Sequence, residues 1–370
     1  NNLAILHPEN EIIQNLIAKS TILFGLIGII FKKDYEEDAY IRRASITENT
    51  LSSKDWHDAK SMINNLIEIS QELVGIKSPQ TASYLKQWKN KLKELHEIFF
   101  TPNLVENFIW IDIDKQEDIL IRKIPYSIKT QLNELLASYK NYTIIDETLN
   151  LEDNGNFVKN LYGLNTDLPL IQNPKKPENL SIYLCKDVNE SDKNELPQFF
   201  ADYYKKHDEK IGIIFTARKY LEFFTLKFSQ DYNLPTVSQL IGSLGKLKEQ
   251  FLEQNKTGER PLLMMTPSYW ENFEYNEFIE TIFIHKLPFD HPSDPELMAL
   301  SQNYENPFME LQVPRTIIAL KKIINRLSAQ NKKVIILDNR LFSKEYGKEI
   351  IKNLNGIAKT EVVELEDLTR

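Results

Sequence analysis

Residues 279–340 read IETIFIHKLPFDHPSDPELMALSQNYENPFMELQVPRTIIALKKIINRLSAQNKKVIILDNR. An apolar strand, Ile279 to Ile284, runs into His285-Lys286-Leu287-Pro288-Phe289. An acidic, proline-marked loop follows, Asp290-His291-Pro292-Ser293-Asp294-Pro295. Then come Asn306-Pro307-Phe308, a helix opened by Val313-Pro314, and a second strand, Val334 to Leu337, ending at Asp338-Asn339-Arg340. Prolines sit where strands end and where a helix takes its first turn. Strand, loop, helix and strand in this order form a unit of an α/β domain.

The same alternation extends outward. Further strands are expected at Leu180–Leu184, Ile211–Phe215, Thr236–Leu240, Leu262–Met265 and Glu361–Leu365. Helices are expected at Glu195–Lys206, Lys219–Asp231, Lys246–Gln254, Pro314–Ala329 and Ser343–Asn353. Such alternation predicts a largely parallel sheet with helices on both faces. Residues 1–100 read differently. Ser53-Lys54-Asp55 opens a helix with Trp56, Met62, Ile63, Leu66 and Ile67 on one stripe, and Ser78-Pro79 opens another carrying Leu85, Trp88, Leu92 and Leu95. Lys32–Ser52 reads as a polar loop. Phe108–Ile113 and Tyr142–Ile145 read as strands flanking a short helix, Ser127–Leu136.

At 370 residues the chain exceeds one typical domain, and 42% hydrophobic content supplies real cores. Net charge is −8, from 45 basic and 53 acidic residues, so any nucleic-acid contact is a local groove and not a basic coat. The lone Cys185 excludes an internal disulfide and any four-cysteine zinc or iron–sulfur site within this chain. A reducing cytoplasm is the natural setting. The six histidines form no H-x-x-x-H or H-E-x-x-H pair, so no metal site is expected. The apolar run Thr21–Phe31 is too short to span a bilayer and reads as a buried helix. No membrane partner is expected.

Three blocks, LPF-x-x-PSDP, NPF-x-x-x-x-x-P and LDNRLFSKEYGKEII, resemble in wording and order the C-terminal motor part of bacterial DinG-type helicases, XPD-like members of helicase superfamily 2. The resemblance covers roughly residues 105–370. It implies an α/β fold: a RecA-like helicase domain 2 of mainly parallel sheet, preceded by a helical arch-like insertion. Residues 1–104 then resemble the arch, residues 105–155 the last strands of RecA-like domain 1, and residues 156–370 the whole of RecA-like domain 2.

Site residues follow from the matching blocks. Phe215-Thr216-Ala217 resembles a phenylalanine–threonine–serine loop whose hydroxyls meet the DNA backbone, and a plain helix cap by Thr216 is the competing reading. Gly242-Ser243-Leu244-Gly245-Lys246 tempts a P-loop assignment, but the position of its first glycine is Leu240. The segment resembles instead a helix start on the nucleic-acid side, where Ser243 and Lys246 touch phosphates. A solvated helix start is the alternative. Ser268-Tyr269-Trp270-Glu271-Asn272-Phe273-Glu274 resembles helicase motif V, with Asn272 replacing a glycine and Glu274 an aspartate. Tyr269 then belongs to the nucleic-acid rim, and Glu271 and Glu274 to the ATP side.

Motif VI of the family, Q-x-x-G-R-x-x-R, aligns with Lys322 to Ala329. Arg326 is kept and would be the catalytic arginine on the γ-phosphate. Lys322 replaces the glutamine, Asn325 the glycine and Ala329 the last arginine. Asp146-Glu147-Thr148-Leu149 falls where the family has the segment coupling its two motor domains, and an acidic Mg²⁺ pair there is the minor alternative. Asp338 and Arg340 are expected to pair across a strand end.

The resemblance implies an ATP-dependent DNA helicase acting on single-stranded or forked DNA in repair or replication. ATP and Mg²⁺ belong to the parent protein, since neither a P-loop nor the acidic box occurs in these 370 residues. In some relatives an exonuclease domain lies upstream in the same polypeptide. The altered motifs V and VI leave a second reading open: a helicase-like module that binds nucleic acid or a protein without hydrolysing ATP.

Overall fold

A computed structural model of the chain describes residues 8–31, 42–73, 79–113, 118–146, 148–151, 155–165, 167–171, 179–188, 195–274, 278–327 and 331–370. The chain divides into two compact units, Asn1–Ser127 with Met298–Gln302, and Ile128–Leu297 with Asn303–Arg370.

The first unit is helical with one small sheet. Its helices are α1 (Glu11–Phe31), α2 (Glu48–Leu51), α3 (Lys54–Glu72) and α4 (Pro79–Phe100). Ser53 caps α3 by accepting the Trp56 N–H, as the sequence predicts. Trp56, Ile63 and Leu66 of α3 pack with Leu85 and Leu92 of α4 in one buried cluster, which also takes Ile13, Leu16, Leu23 and Ile27 of α1. Only that stripe of α1 is buried. Ile22, Phe24 and Ile29 face outward, so the expectation of a buried helix is corrected to a half-covered one. By length and composition Glu11–Ile30 is apolar enough to cross a membrane, with mean hydropathy 1.7. Only 22% of that stretch is buried, its stripe packing in the cluster described above.

A three-stranded antiparallel sheet completes this unit: β1 (Arg42–Ser45), β2 (Asn107–Ile113) and β3 (Ile119–Pro125), with β2 in the middle. The strand expected at Phe108–Ile113 exists. Its neighbour β1, RRAS, falls in the stretch read as a polar loop. Asp112 of β2 is buried and accepts from Arg43 and Arg122 of the flanking strands, at 2.8 and 3.0 Å, which offsets the cost of burying its charge.

The second unit begins with α5 (Lys129–Ala137) and α6 (Asn156–Tyr162). The strand expected at Tyr142–Ile145 does not form. Ile144 and Ile145 are 41% and 90% exposed, and a strand without a neighbour leaves its backbone groups unpaired.

The body of this unit is a seven-stranded sheet in the order β10-β4-β9-β8-β5-β7-β6. The strands are β4 (Leu180–Cys185), β5 (Ile211–Ile214), β6 (Thr236–Ser238), β7 (Leu262–Met265), β8 (Thr281–Ile284), β9 (Lys332–Ile336) and β10 (Lys359–Val363). Every pairing is parallel. Between the strands run α7 (Leu196–Lys206), α8 (Arg218–Gln230), α9 (Leu244–Lys256), α10 (Pro267–Asn272), α11 (Pro295–Ser301, whose residues from Met298 on count with the first unit), α12 (Val313–Asn325), α13 (Arg340–Ser343) and α14 (Gly347–Ile357).

Alternate strand residues serve opposite faces, as the pleat requires. Ile214, Met265, Ile284 and Ile336 pack under α9, α10, α12 and α14. Ile213, Met264, Phe283 and Ile335 pack under α7 and α8. Helices therefore cover both faces, and the predicted parallel α/β domain is the one observed. Expected ends shift by a few residues. The strand at Thr236 gives way to a 3₁₀ turn at Gln239–Ile241, and α12 ends at Asn325.

Candidate functional site

Neighbouring strands reach their carboxyl ends at one level. Phe215 N–H donates to Met265 O at 2.9 Å, His285 N–H to Ile214 O at 3.0 Å and Leu337 N–H to Ile284 O at 2.9 Å. The segments that leave this edge carry the residues singled out in the sequence. It is also the edge at which open α/β sheets bind ligands.

Three adjacent strands, β5, β7 and β6, deliver the expected nucleic-acid residues. Thr216 follows β5 and is half-buried. It does not cap α8: the N-cap is Ala217, without a side-chain bond. The competing cap reading is thereby removed, and the Thr216 hydroxyl is left at the strand end. Ser243 caps α9, its Oγ accepting from Lys246 N at 3.4 Å. Gly242 before it has φ +126°, a conformation that side-chain-bearing residues rarely adopt. Tyr269, after β7, donates from its hydroxyl to Gly242 O at 3.1 Å. Thr266 donates its N–H and its hydroxyl to Gln239 Oε1, at 2.7 and 3.0 Å. The β6 and β7 exits are thus tied together, and Thr266 and Gln239 are ties that sequence reasoning missed. Ser243 and Lys246 are exposed, so their polar groups face water.

The residues expected on the ATP side lie on α10, just beyond its C-cap, and at the end of α12. Glu271 and Lys322 are half-buried. Glu274 is exposed and pairs with Lys248 at 2.9 Å. Hydrogen bonding and charge from Lys248 hold its carboxyl below the usual range. Arg326 follows α12, and its Nη2 donates to Phe273 O at 3.1 Å. Trp270, wholly buried, donates its indole N–H to Ile323 O at 2.9 Å. Lys321, on the same helix, is buried and its Nζ donates to Asn150 O. Ala329 lies outside the described residues, as does Glu147. Asp146 accepts the Thr148 N–H at 2.7 Å and shapes a local turn. Among the described residues no three His, Cys, Asp or Glu side chains gather as a metal site would require.

The three resembling blocks converge as well. Phe289 stacks on Phe308 with ring centroids 5.6 Å apart, and Tyr346 meets both edge-on at 5.3 and 5.2 Å. Asp338 is buried, accepts the Leu287 N–H at 2.8 Å and pairs with Arg340 at 2.6 Å. The expected pairing of Asp338 with Arg340 is therefore present.

The parallel sheet with helices on both faces is consistent with a RecA-like helicase C-terminal domain. Residues 200–356 match the helicase C-terminal domain family. The chain is 24% identical over 288 residues to the ATP-dependent DNA helicase YoaA of Escherichia coli, covering 74% of this chain and 44% of that protein. It is 27% identical over 175 residues to YoaA of Haemophilus influenzae, covering 45% and 27%. It is 29% identical over 107 residues to the ATP-dependent DNA helicase DinG of Photobacterium profundum, covering 27% and 16%. The chain spans less than half the length of each of these relatives. Over these residues the chain is similar to the C-terminal part of DinG-type helicases.

Proposed function

We propose that this chain works as the C-terminal motor part of an ATP-dependent DNA helicase of DinG type, acting in the cytoplasm on single-stranded or forked DNA in repair or replication. One observation carries the reading: the parallel sheet brings Thr216, Ser243, Lys246 and Tyr269, residues from separate blocks, to the carboxyl ends of three adjacent strands. Hydroxyls, helix-start amides and one lysine suit phosphate oxygens and carry no base preference. Residues 1–104 then correspond to the arch, 105–155 to the last part of RecA-like domain 1, and 156–370 to RecA-like domain 2.

Glu271, Glu274, Lys322 and Arg326 would form one wall of the ATP site. The donor set fits a nucleotide only in part. Arg326 supplies a guanidinium, and Glu274 is engaged by Lys248. The phosphate loop and the Mg²⁺ carboxylates belong to the rest of the protein. ATP and Mg²⁺, when bound, would supply the phosphoryl transfer that drives movement. With Ala329 in place of the second arginine, that motor is slow. A non-hydrolysing module is the second reading, favoured by Lys322, Asn325 and Ala329 in motif VI.

The test is binding of a fluorescent single-stranded oligonucleotide to residues 1–370 at several salt concentrations. At net charge −8, binding is expected to be weak, to fall steeply with salt, and to weaken further in Thr216→Val and Lys246→Ala. Nanomolar binding that ignores salt and both substitutions would contradict the reading.

A further inference from the structure

Two short segments close on each other through side-chain bonds to main-chain carbonyls. A helix leaves its last carbonyls without partners. At the end of α12 the Leu327 N–H turns back to Ile324 O at 2.9 Å, so it does not reach Ile323 O. The indole of Trp270, on α10, fills that place at 2.9 Å from a wholly buried position. In return Arg326, at the C-cap of α12, donates from Nη2 to the carbonyl of Phe273, the C-cap residue of α10. Each helix end is completed by a side chain of the other. Arg326 Nε is buried and meets no acceptor among the described residues. An unspent buried donor opposes this placement of the guanidinium, so other contacts must hold it there.

We propose that Trp270 is a positioning residue for Arg326, and that the two form a reciprocal latch setting where the arginine stands when a nucleotide phosphate arrives. This rests on the helicase reading above. Catalytic groups need placement within about 0.5 Å, and that placement comes from supporting contacts of this kind. Phenylalanine at 270 keeps an aromatic ring in the core, and removes the indole donor together with part of the ring volume. The α12 end then loses its tie to α10, and Arg326 loses its fixed starting point.

The experiment is DNA-stimulated ATP turnover by the protein containing the whole motor, for wild type, Trp270→Phe, Arg326→Lys and the double variant. Trp270→Phe is expected to lower kcat about tenfold with KM for ATP within twofold. In the Arg326→Lys background the same change is expected to cost less than twofold, because a residue that acts through Arg326 has nothing left to position. Full multiplication of the two losses would assign Trp270 to general stability and overturn the proposal. So would a Trp270→Phe kcat within twofold of wild type. Absence of turnover in the wild type would defeat the hydrolytic reading and this inference together, whereas the other two results defeat the inference alone. If Trp270→Phe does not fold, Trp270→His retains a ring N–H donor and is expected to keep more kcat than Trp270→Leu; equal losses would also overturn it.

Discussion

The buried carboxylate of Asp338 accepts the backbone N–H of Leu287 at 2.8 Å, bridging the exits of two adjacent parallel strands, β9 and β8. The same carboxylate takes three contacts from the Arg340 guanidinium, at 2.6, 2.9 and 3.1 Å. This joins the Leu287-Pro288-Phe289 loop to the Asp338-Asn339-Arg340 turn. Phe289, in the first of these, stacks on Phe308, and Tyr346 meets both rings.

Asp338→Asn should therefore destabilise the second unit. It weakens charge-assisted bonds and leaves Arg340 facing a neutral amide. The expected loss is about 2 kcal/mol, read as a lower urea midpoint with an unchanged slope. A change within 0.5 kcal/mol, the range of ordinary surface substitutions, would show that the bridge is dispensable.

Glu209 ties together the opposite ends of the strands. Its carboxylate accepts from Lys333 and Thr281 at 2.5 Å each and from Tyr203 at 3.1 Å. Burial pushes its carboxyl up, but bonds to Lys333 and Thr281 outweigh that and hold it below the usual range. A folded value below the unfolded one, near ~4.3, adds stability above the unfolded value and loses it as pH falls through the folded one. Glu209→Gln should therefore be less stable than wild type at pH 7, with the gap closing below about pH 4. A gap that widens on acidification would reverse the sign and refute the assignment.

The core strands were legible because a parallel sheet buries both faces, so IGII, LLMM, TIFI and KVII stand out as apolar runs. The strand RRAS was not, because its partners lie 65 to 71 residues away in the chain and its own composition is polar. Tyr142–Ile145 has strand composition, and composition does not provide a neighbour. Among the candidate site residues, Arg326, Ser243 and Lys246 were singled out from their blocks. The bonds Trp270–Ile323 and Arg326–Phe273 each join residues 53 apart, and no local pattern announces them. The Gln239–Thr266 tie was missed for the same reason.

The start of the second unit bears on the proposed RecA-like domain 1. Helix α5 buries no side chain, and Leu135, Tyr139, Tyr142, Ile144 and Ile145 are exposed close together in sequence. On the proposed reading, the rest of RecA-like domain 1 would cover this apolar surface. Leu135→Lys with Ile145→Lys should raise the solubility of residues 1–370 and leave the unfolding midpoint unchanged. In the whole protein the same pair should lower stability. Equal tolerance in both settings would remove this segment from the interface.

Lys246 is the one expected nucleic-acid residue with a full charge. Lys246→Ala should weaken binding to all single-stranded sequences alike and reduce the log–log salt slope by about 0.7, the share of one phosphate contact. A sequence-selective loss would mean that Lys246 reads bases.

DNA-stimulated ATP turnover in the protein that contains the whole motor tests the central claim most directly, compared across wild type, Ala329→Arg and Arg326→Ala. A single arginine shares only part of the charge that develops on the γ-phosphate, and arginine fingers are worth roughly 10³–10⁵ in rate. The expected result is slow wild-type turnover, lost in Arg326→Ala and raised in Ala329→Arg. Wild-type turnover at roughly 1–100 per second, the range of comparable phosphoryl-transfer enzymes, and unchanged by Arg326→Ala would contradict it.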